Sequence, residues 1–125
     1  VITGCGIDIV SIERFIPWTE NPALVCRFFH ADELSCMEAK NKAAERLAVR
    51  FAAKEAFAKA LGTGLRGFNL TDVCVRKDKN GKPSLCVYGA AALLLEKNGA
   101  NRIHLSLTHE KKYAVAQVIL ESDFR

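Results

Sequence analysis

Two acidic residues stand in stretches of this sequence where acids are costly. Asp8 lies inside the strand-like run Ile7-Asp8-Ile9-Val10, and aspartate is depleted in strands. Glu55 lies inside Arg50-Phe51-Ala52-Ala53-Lys54-Glu55-Ala56-Phe57-Ala58-Lys59-Ala60-Leu61-Gly62, a run of helix formers closed by a glycine suited to a left-handed cap. In a helix, Glu55 follows Phe51 by one turn and joins the stripe of Leu47, Phe51 and Ala58. A carboxylate embedded there needs a cation. Lys59, at i+4, offers one, and a metal ion offers another. Carboxylate oxygens with no nearby His or Cys are a hard donor set, which suits Mg²⁺ completed by water and phosphate. If the first strand packs beside the helix, Asp8 and Glu55 meet around a shared ion. Lys59 then reaches the same phosphate, and Arg50 neutralises another. The plainer alternative is a solvated Glu55–Lys59 pair at the helix rim with Arg50 a solvated helix charge.

A second candidate is Ser106-Leu107-Thr108-His109. It puts two hydroxyls on one strand face and an imidazole at its end, a phosphate-binding edge or else the polar face of an edge strand. No Ser-His-Asp order or cysteine nucleophile stands out.

The elements that must position these groups follow from the pattern. Ile2 to Val10 reads as a strand, with Gly4 and Gly6 marking a bulge or a close backbone approach. Ser11 caps a short helix carrying Ile12, Phe15 and Ile16, which Pro17 ends. Asn21-Pro22 starts a helix to about Phe29. His30 to Lys40 is a further helix whose Asp32 and Glu33 complement the dipole. Lys40-Asn41-Lys42 is a polar break, and the long helix runs from about Ala43 to Leu61. Beyond the glycines at 62, 64 and 67 the period changes to two. Thr71 to Lys77 and Pro83 to Tyr88 form a hairpin about Asn80-Gly81, a pair suited to a tight primed turn. Ala90 to Lys97 is a helix capped by Gly99. Ile103 to Thr108 and Tyr113 to Leu120 are strands, and Ser122 to Arg125 a frayed tail. The expected architecture is α+β: a small antiparallel sheet with helices packed on one face.

At 125 residues the chain reads as a single domain spanning 1–125, with enough length for its own core. Half the residues are hydrophobic and 26% charged, ordinary for a soluble protein. No apolar run approaches the roughly 20 residues of a membrane span, and no basic-then-apolar leader opens the chain. The five cysteines are odd in number and lack Cys-x-x-Cys spacing, which argues against zinc or a disulfide framework and for a reducing cytoplasm. The net charge of +4 suits an acidic or phosphorylated partner. No nucleic-acid signature accompanies it.

Five segments together carry a resemblance spanning the chain: Gly6-Ile7-Asp8-Ile9-Val10, Arg50-Phe51-Ala52-Ala53-Lys54-Glu55-Ala56, Lys59-Ala60-Leu61-Gly62-Thr63-Gly64, Asn80-Gly81-Lys82-Pro83 and Ser106-Leu107-Thr108-His109. In this order they resemble the holo-acyl-carrier-protein synthases, the small 4′-phosphopantetheinyl transferases. The resemblance implies transfer of 4′-phosphopantetheine from coenzyme A to a serine of apo-acyl carrier protein, releasing adenosine 3′,5′-bisphosphate. It implies that Asp8 and Glu55 hold Mg²⁺, that Lys59 steadies leaving-group charge, and that a carboxylate of the site, Glu55 directly or through water, takes the serine proton. It further implies a homotrimer in which Ser106, Thr108 and His109 reach the nucleotide bound by a neighbour's acids. Arg50 and Lys42 would then contact phosphates, and the turn from Asn80 to Pro83 would lie near adenine. The acidic carrier would dock around Arg14. Pro17, Trp18 and Glu20 depart there from the basic or flexible residues of the family pattern, and Arg27 offers a compensating cation. Two other readings of the residues stay open: a non-catalytic module binding an acidic protein, and a small Mg²⁺-dependent phosphohydrolase.

Overall fold

The structure, a computed structural model, describes residues 1–34 and 40–123, the side chains of residues 40 and 41 excepted. Its centre is the helix α3, Lys40–Leu61. Ala48, Ala52, Ala53, Ala56 and Phe57 are wholly buried along it, as expected of a helix apolar on every side. The polar break at Lys40-Asn41-Lys42 is absent, since α3 begins at Lys40. No glycine or proline interrupts that segment, and lysine is a good helix former. Of the helix expected over His30–Lys40, the described part is one turn, α2, Ala31–Leu34. Residues 35–39 lie outside the described residues.

The α+β expectation holds, with the strands divided between two sheets. Strands β1 (Ile2–Ser11), β4 (Arg102–His109) and β5 (Tyr113–Glu121) form an antiparallel sheet in the order β1-β5-β4. Strands β2 (Val73–Lys77) and β3 (Pro83–Val87) form a separate hairpin. Helix α3 lies on one face of the larger sheet, over the fully buried Ala114, Ala116, Val118 and Leu120 of β5. It sits unusually close to β1. A Cβ built on Gly4 would fall 2.1 Å from the Ala60 carbonyl oxygen, and one on Gly6 would fall 2.0 Å from that of Ala56. Both glycines are therefore there for close approach, and a register shift between Ile2 and Gly4 adds a bulge.

Between β1 and α1 (Pro22–Phe28) the chain makes two 3₁₀ turns, Ile12–Phe15 and Pro17–Glu20. Ser11 makes no side-chain cap, and the Ile12 N–H donates to the Lys112 carbonyl at 2.9 Å. Asn21 does cap α1, its Oδ1 accepting from Leu24 N at 3.2 Å. The hairpin turn is not the two-residue primed type. Primed turns need positive φ at Asn80 as well, and among the described residues only glycines have it. Instead Asp78 Oδ1 accepts from both Asn80 N and Lys82 N, with Gly81 left-handed at φ +83. Helix α4 (Gly89–Asn98) ends on left-handed Gly99 as expected. The described part of the tail is pinned, not frayed. Ser122 N donates to Val1 O at 2.7 Å, the chain's amino group returns to Ser122 O at 2.8 Å, and Arg102 pairs with Asp123 at 3.2 Å.

Candidate active site

The close seating of α3 on β1 brings the two anomalous acids together. Alternation along β1 points Asp8 inward with Gly4, Gly6 and Val10, in register with Ala116 of β5. Asp8 is 7% exposed. Its Oδ1 accepts from Lys59 Nζ at 2.9 Å, and the same ammonium donates to the Ile7 carbonyl at 3.0 Å. Its Oδ2 is buried without a partner, an exception that asks for an explanation. Lys59 thus bonds Asp8 rather than closing the i+4 pair with Glu55. The half-buried Glu55 carboxyl has its pKa pushed up to about 7. Burial is the largest cause, then a hydrogen bond with Asp8, then repulsion by the Asp8 charge; Arg14 and Lys59 pull it partly back. Arg14 reaches this position by lying over the Phe51 and Phe15 rings, at 5.0 and 5.3 Å from their centroids. Two carboxyls that repel each other, one with a buried orphan oxygen, form a donor set that fits a hard divalent cation.

A second feature lies on another side of α3. A cleft of about 330 Å³ opens between this helix, the hairpin turn and the end of β4. Lys42, Arg46, Arg50, Lys77 and His109 line it with one acid, Glu45, and the turn residues Gly81 and Pro83 form part of its wall. Its Glu45 Oε1 lies 3.2 Å from His109 Nε2. Arg50, 4% exposed, extends back to donate to the Arg46 carbonyl at 3.2 Å. So concentrated a positive lining favours an anion such as a phosphate group. Lys42, Arg50, His109 and the turn residues Gly81 and Pro83 thus border one cleft.

Ser106 and Thr108 are not in that cleft. Alternation turns them to the open face of the sheet, in the rows Ile7–Gln117–Ser106 and Ile9–Val115–Thr108. His109 falls on the opposite, helix-side face. Within one chain the acid pair and the cationic cleft are also apart. Strands β1 and β4 are separated by β5, about 10 Å in all. Glu55 and Arg50, five residues apart, point about 140° apart around the helix.

The profile of the 4′-phosphopantetheinyl transferase superfamily matches residues 4–118. The chain belongs to that superfamily. It is 51% identical over 123 residues to the holo-[acyl-carrier-protein] synthase of Treponema pallidum (strain Nichols), covering 98% of each chain. The crystal structure of the holo-[acyl-carrier-protein] synthase from Neisseria meningitidis superposes with a TM-score of 0.88 at 38% identity, over 98% of this chain and 100% of that one. The Bacillus anthracis str. Ames synthase, solved in complex with CoA (3′,5′-ADP), superposes at 0.81 with 36% identity over 98% of both chains.

Sequence reasoning missed the group that anchors the acid pair from behind. Lys54 and Glu33 are both fully buried and 2.7 Å apart. Lys54 Nζ also donates to the Leu70 carbonyl at 2.9 Å and to the Val73 carbonyl. Glu33 accepts further bonds from His30 N at 2.9 Å and Val75 N at 3.0 Å. Desolvation lowers the Lys54 pKa, and Glu33 opposes that by charge and hydrogen bond. Glu33 is therefore no solvated dipole partner; with Lys54, the residue before Glu55, it ties α2, α3 and β2 together. The signal was Lys54 itself, a cation in a helix apolar on all sides. Trp18 is partly buried against the core, packing on Phe15, Phe28, Phe29 and Phe51 with ring centroids 4.9–6.3 Å away.

Proposed function

We propose that this chain, acting as one domain of 125 residues, transfers 4′-phosphopantetheine from coenzyme A to a serine hydroxyl of apo-acyl carrier protein. The observation that carries this reading is the meeting of Asp8 and Glu55 beneath Lys59 and Arg14, in a chain of this superfamily. The synthases it resembles are named for the acyl carrier protein, and one is solved with CoA (3′,5′-ADP).

Asp8, through its orphan Oδ2, and Glu55 would hold Mg²⁺; when bound, that ion supplies Lewis-acid polarisation of a phosphoryl group and neutralises its charge. The chain's own residues do the rest. Glu55, directly or through a held water, takes the serine proton as the serine Oγ bonds to the pantetheine phosphorus. The bond from that phosphorus to the bridging oxygen of coenzyme A breaks, and adenosine 3′,5′-bisphosphate leaves with the electron pair. Lys59, already on the Asp8 carboxylate, is placed to stabilise the charge gathering there. Lys42, Arg50 and His109 bind the nucleotide phosphates in the cationic cleft, with adenine against the Asn80–Pro83 turn. Arg14 and Arg27 offer cations to the acidic carrier.

The separation of acid pair and cleft supports a homotrimer with sites between subunits, where the cleft of one copy faces the acids of another. Ser106 and Thr108 then border the nucleotide from a neighbour. The open sheet face suits burial in such an assembly, since Ile7 and Ile9 are 58% and 61% exposed on it and Tyr113 is 46% exposed. Among the described residues no helix is long and apolar enough to cross a membrane. Cys5, Cys26, Cys74 and Cys86 are free thiols, which fits the reducing cytoplasm to which this reading assigns the enzyme.

Mass spectrometry of apo-carrier protein after incubation with the chain, coenzyme A and Mg²⁺ tests the proposal. The carrier gains the prosthetic arm with the wild type and not with Asp8→Ala. An unmodified carrier beside hydrolysed coenzyme A would point to a phosphohydrolase instead, and metal-independent carrier binding without either reaction to a module.

A further inference from the structure

A second donor cluster lies away from the acid pair. His30, Asp32 and Cys74 bring an imidazole nitrogen, a carboxylate oxygen and a thiol sulfur within 4.8 Å of one another. His30 precedes α2, Asp32 lies on it, and Cys74 lies on β2. The donor types are those of zinc, not of magnesium. Tetrahedral zinc sets such donors about 3.3–3.7 Å apart, given bond lengths of roughly 2.0–2.3 Å, so the cluster needs a contraction of about an ångström. Access is open on one side. The Asp32 and His30 side chains are 53% and 29% exposed, while Cys74 is wholly buried and forms the floor. The His30 ring is held by stacking on Tyr88, centroids 5.3 Å apart and planes at 22°. Across the ladder from Cys74 stands Cys86, which keeps a second sulfur on the same hairpin face.

Three existing contacts compete with a cation, the first a weak one from the Cys74 thiol to the Val75 carbonyl at 3.8 Å. Arg76 donates to Asp32 Oδ2 at 2.7 Å, and Asp32 N donates to His30 Nδ1 at 3.1 Å. The Arg76–Asp32 pair is exposed, and such pairs contribute little. Arg76 also keeps the Tyr88 hydroxyl, at 2.8 Å, as an alternative partner.

We propose that His30, Asp32 and Cys74 form a binding site for a thiophilic divalent cation of the zinc type, its remaining position open to solvent. Occupancy would clip α2 to β2, the two elements that Glu33 already joins through Lys54 and Val75. The site is independent of the transfer reaction and stands whether or not that reading holds.

The test titrates the full chain, with Cys5, Cys26 and Cys36 replaced by serine, with Zn²⁺ by calorimetry and with Co²⁺ by absorption. Excess Mg²⁺ keeps the carboxylate site occupied. One Zn²⁺ binds per chain, Co²⁺ gives a near-ultraviolet thiolate charge-transfer band, and the melting temperature rises with Zn²⁺. Cys74→Ser and His30→Ala each weaken binding by about tenfold or more and abolish the band. Arg76→Ala, at an exposed position, tightens binding several-fold by removing the competing cation, and so informs even if Cys74→Ser folds poorly. A band that survives Cys74→Ser, no stoichiometric Zn²⁺ binding, or an affinity untouched by Arg76→Ala would overturn the proposal.

Discussion

Replacing Glu55 by Gln should stabilise the metal-free protein at neutral pH, even though it should abolish transfer. The glutamate pKa is raised from 4.5 to about 7 in the fold, so the folded state holds that proton more tightly than the unfolded chain. Below pH 4.5 both states are protonated and the group contributes nothing. As pH rises through 4.5 to about 7 the unfolded chain releases the proton first, and stability falls. Above about pH 7 the full penalty is in place. At about 1.4 kcal/mol per pKa unit the ceiling is roughly 3.5 kcal/mol. Glu55 is partly solvated and Arg14 and Lys59 lie nearby, so about 1.5–2 kcal/mol is the figure to expect after screening. Glutamine keeps the shape and can donate to Asp8 without ionising. For a chain of this length that corresponds to a gain of about 5–10 °C in melting temperature. The assay is thermal melting of both proteins in a chelating buffer, at one protein concentration, from about pH 4 to 8, a span that brackets both ends of the shift. The curves should meet at the acid end and separate toward neutral pH, with Glu55→Gln the more stable. Added Mg²⁺ should then raise the wild type more than the variant. Equal stabilities at every pH, or a variant less stable above neutrality, would refute the electrostatic account of the acid pair.

Three further outcomes follow from the geometry. Lys59→Ala should lower the transfer rate about 100-fold or more and also lower the melting temperature, because it leaves the buried Asp8 carboxylate without its ammonium donor; carrier-modification kinetics beside a thermal scan check both. Glu33→Gln should cost about 3–5 kcal/mol in urea unfolding, because it strips a fully buried Lys54 of its countercharge; Lys54→Met in the same background should recover part of that loss. Gly6→Ala should destabilise by about 3 kcal/mol or more and lower activity, because the new Cβ meets the Ala56 carbonyl and must push α3 away from β1.

What could be read from the sequence was whatever violated its own surroundings. Asp8 in a strand and Glu55 in an apolar helix declared themselves, since a buried charge needs a partner wherever the chain later places it. Gly4 and Gly6 announced close approach for the same local reason. Glu33 gave no such sign, because an acid in the first turn of a helix is also what an exposed helix would show; its burial depends on Lys54, 21 residues away. The aromatic setting of Trp18 was not legible, because the rings that pack on it come from separate points in the chain. The faces of Ser106 and Thr108 were fixed by alternation, but which face α3 covers is a tertiary fact. The primed-turn expectation failed because Asp78 captures two backbone N–H groups and widens the loop.

These particulars share a cause in how α3 is seated. Alanines at 52, 53, 56 and 60 let the helix descend onto two glycines of β1, and that descent is what brings the Glu55 carboxyl to Asp8. A larger residue in either row would lift the helix and relieve the repulsion, giving a more comfortable and less useful protein. On the same helix the buried Lys54–Glu33 pair fixes α3 to α2 and β2 through the three acceptors of Lys54, which limits any shift of the helix. Close packing and a fully satisfied buried charge therefore hold two acids at a distance neither would choose alone. A divalent cation held there, as proposed above, would relieve that repulsion by neutralising both charges at once.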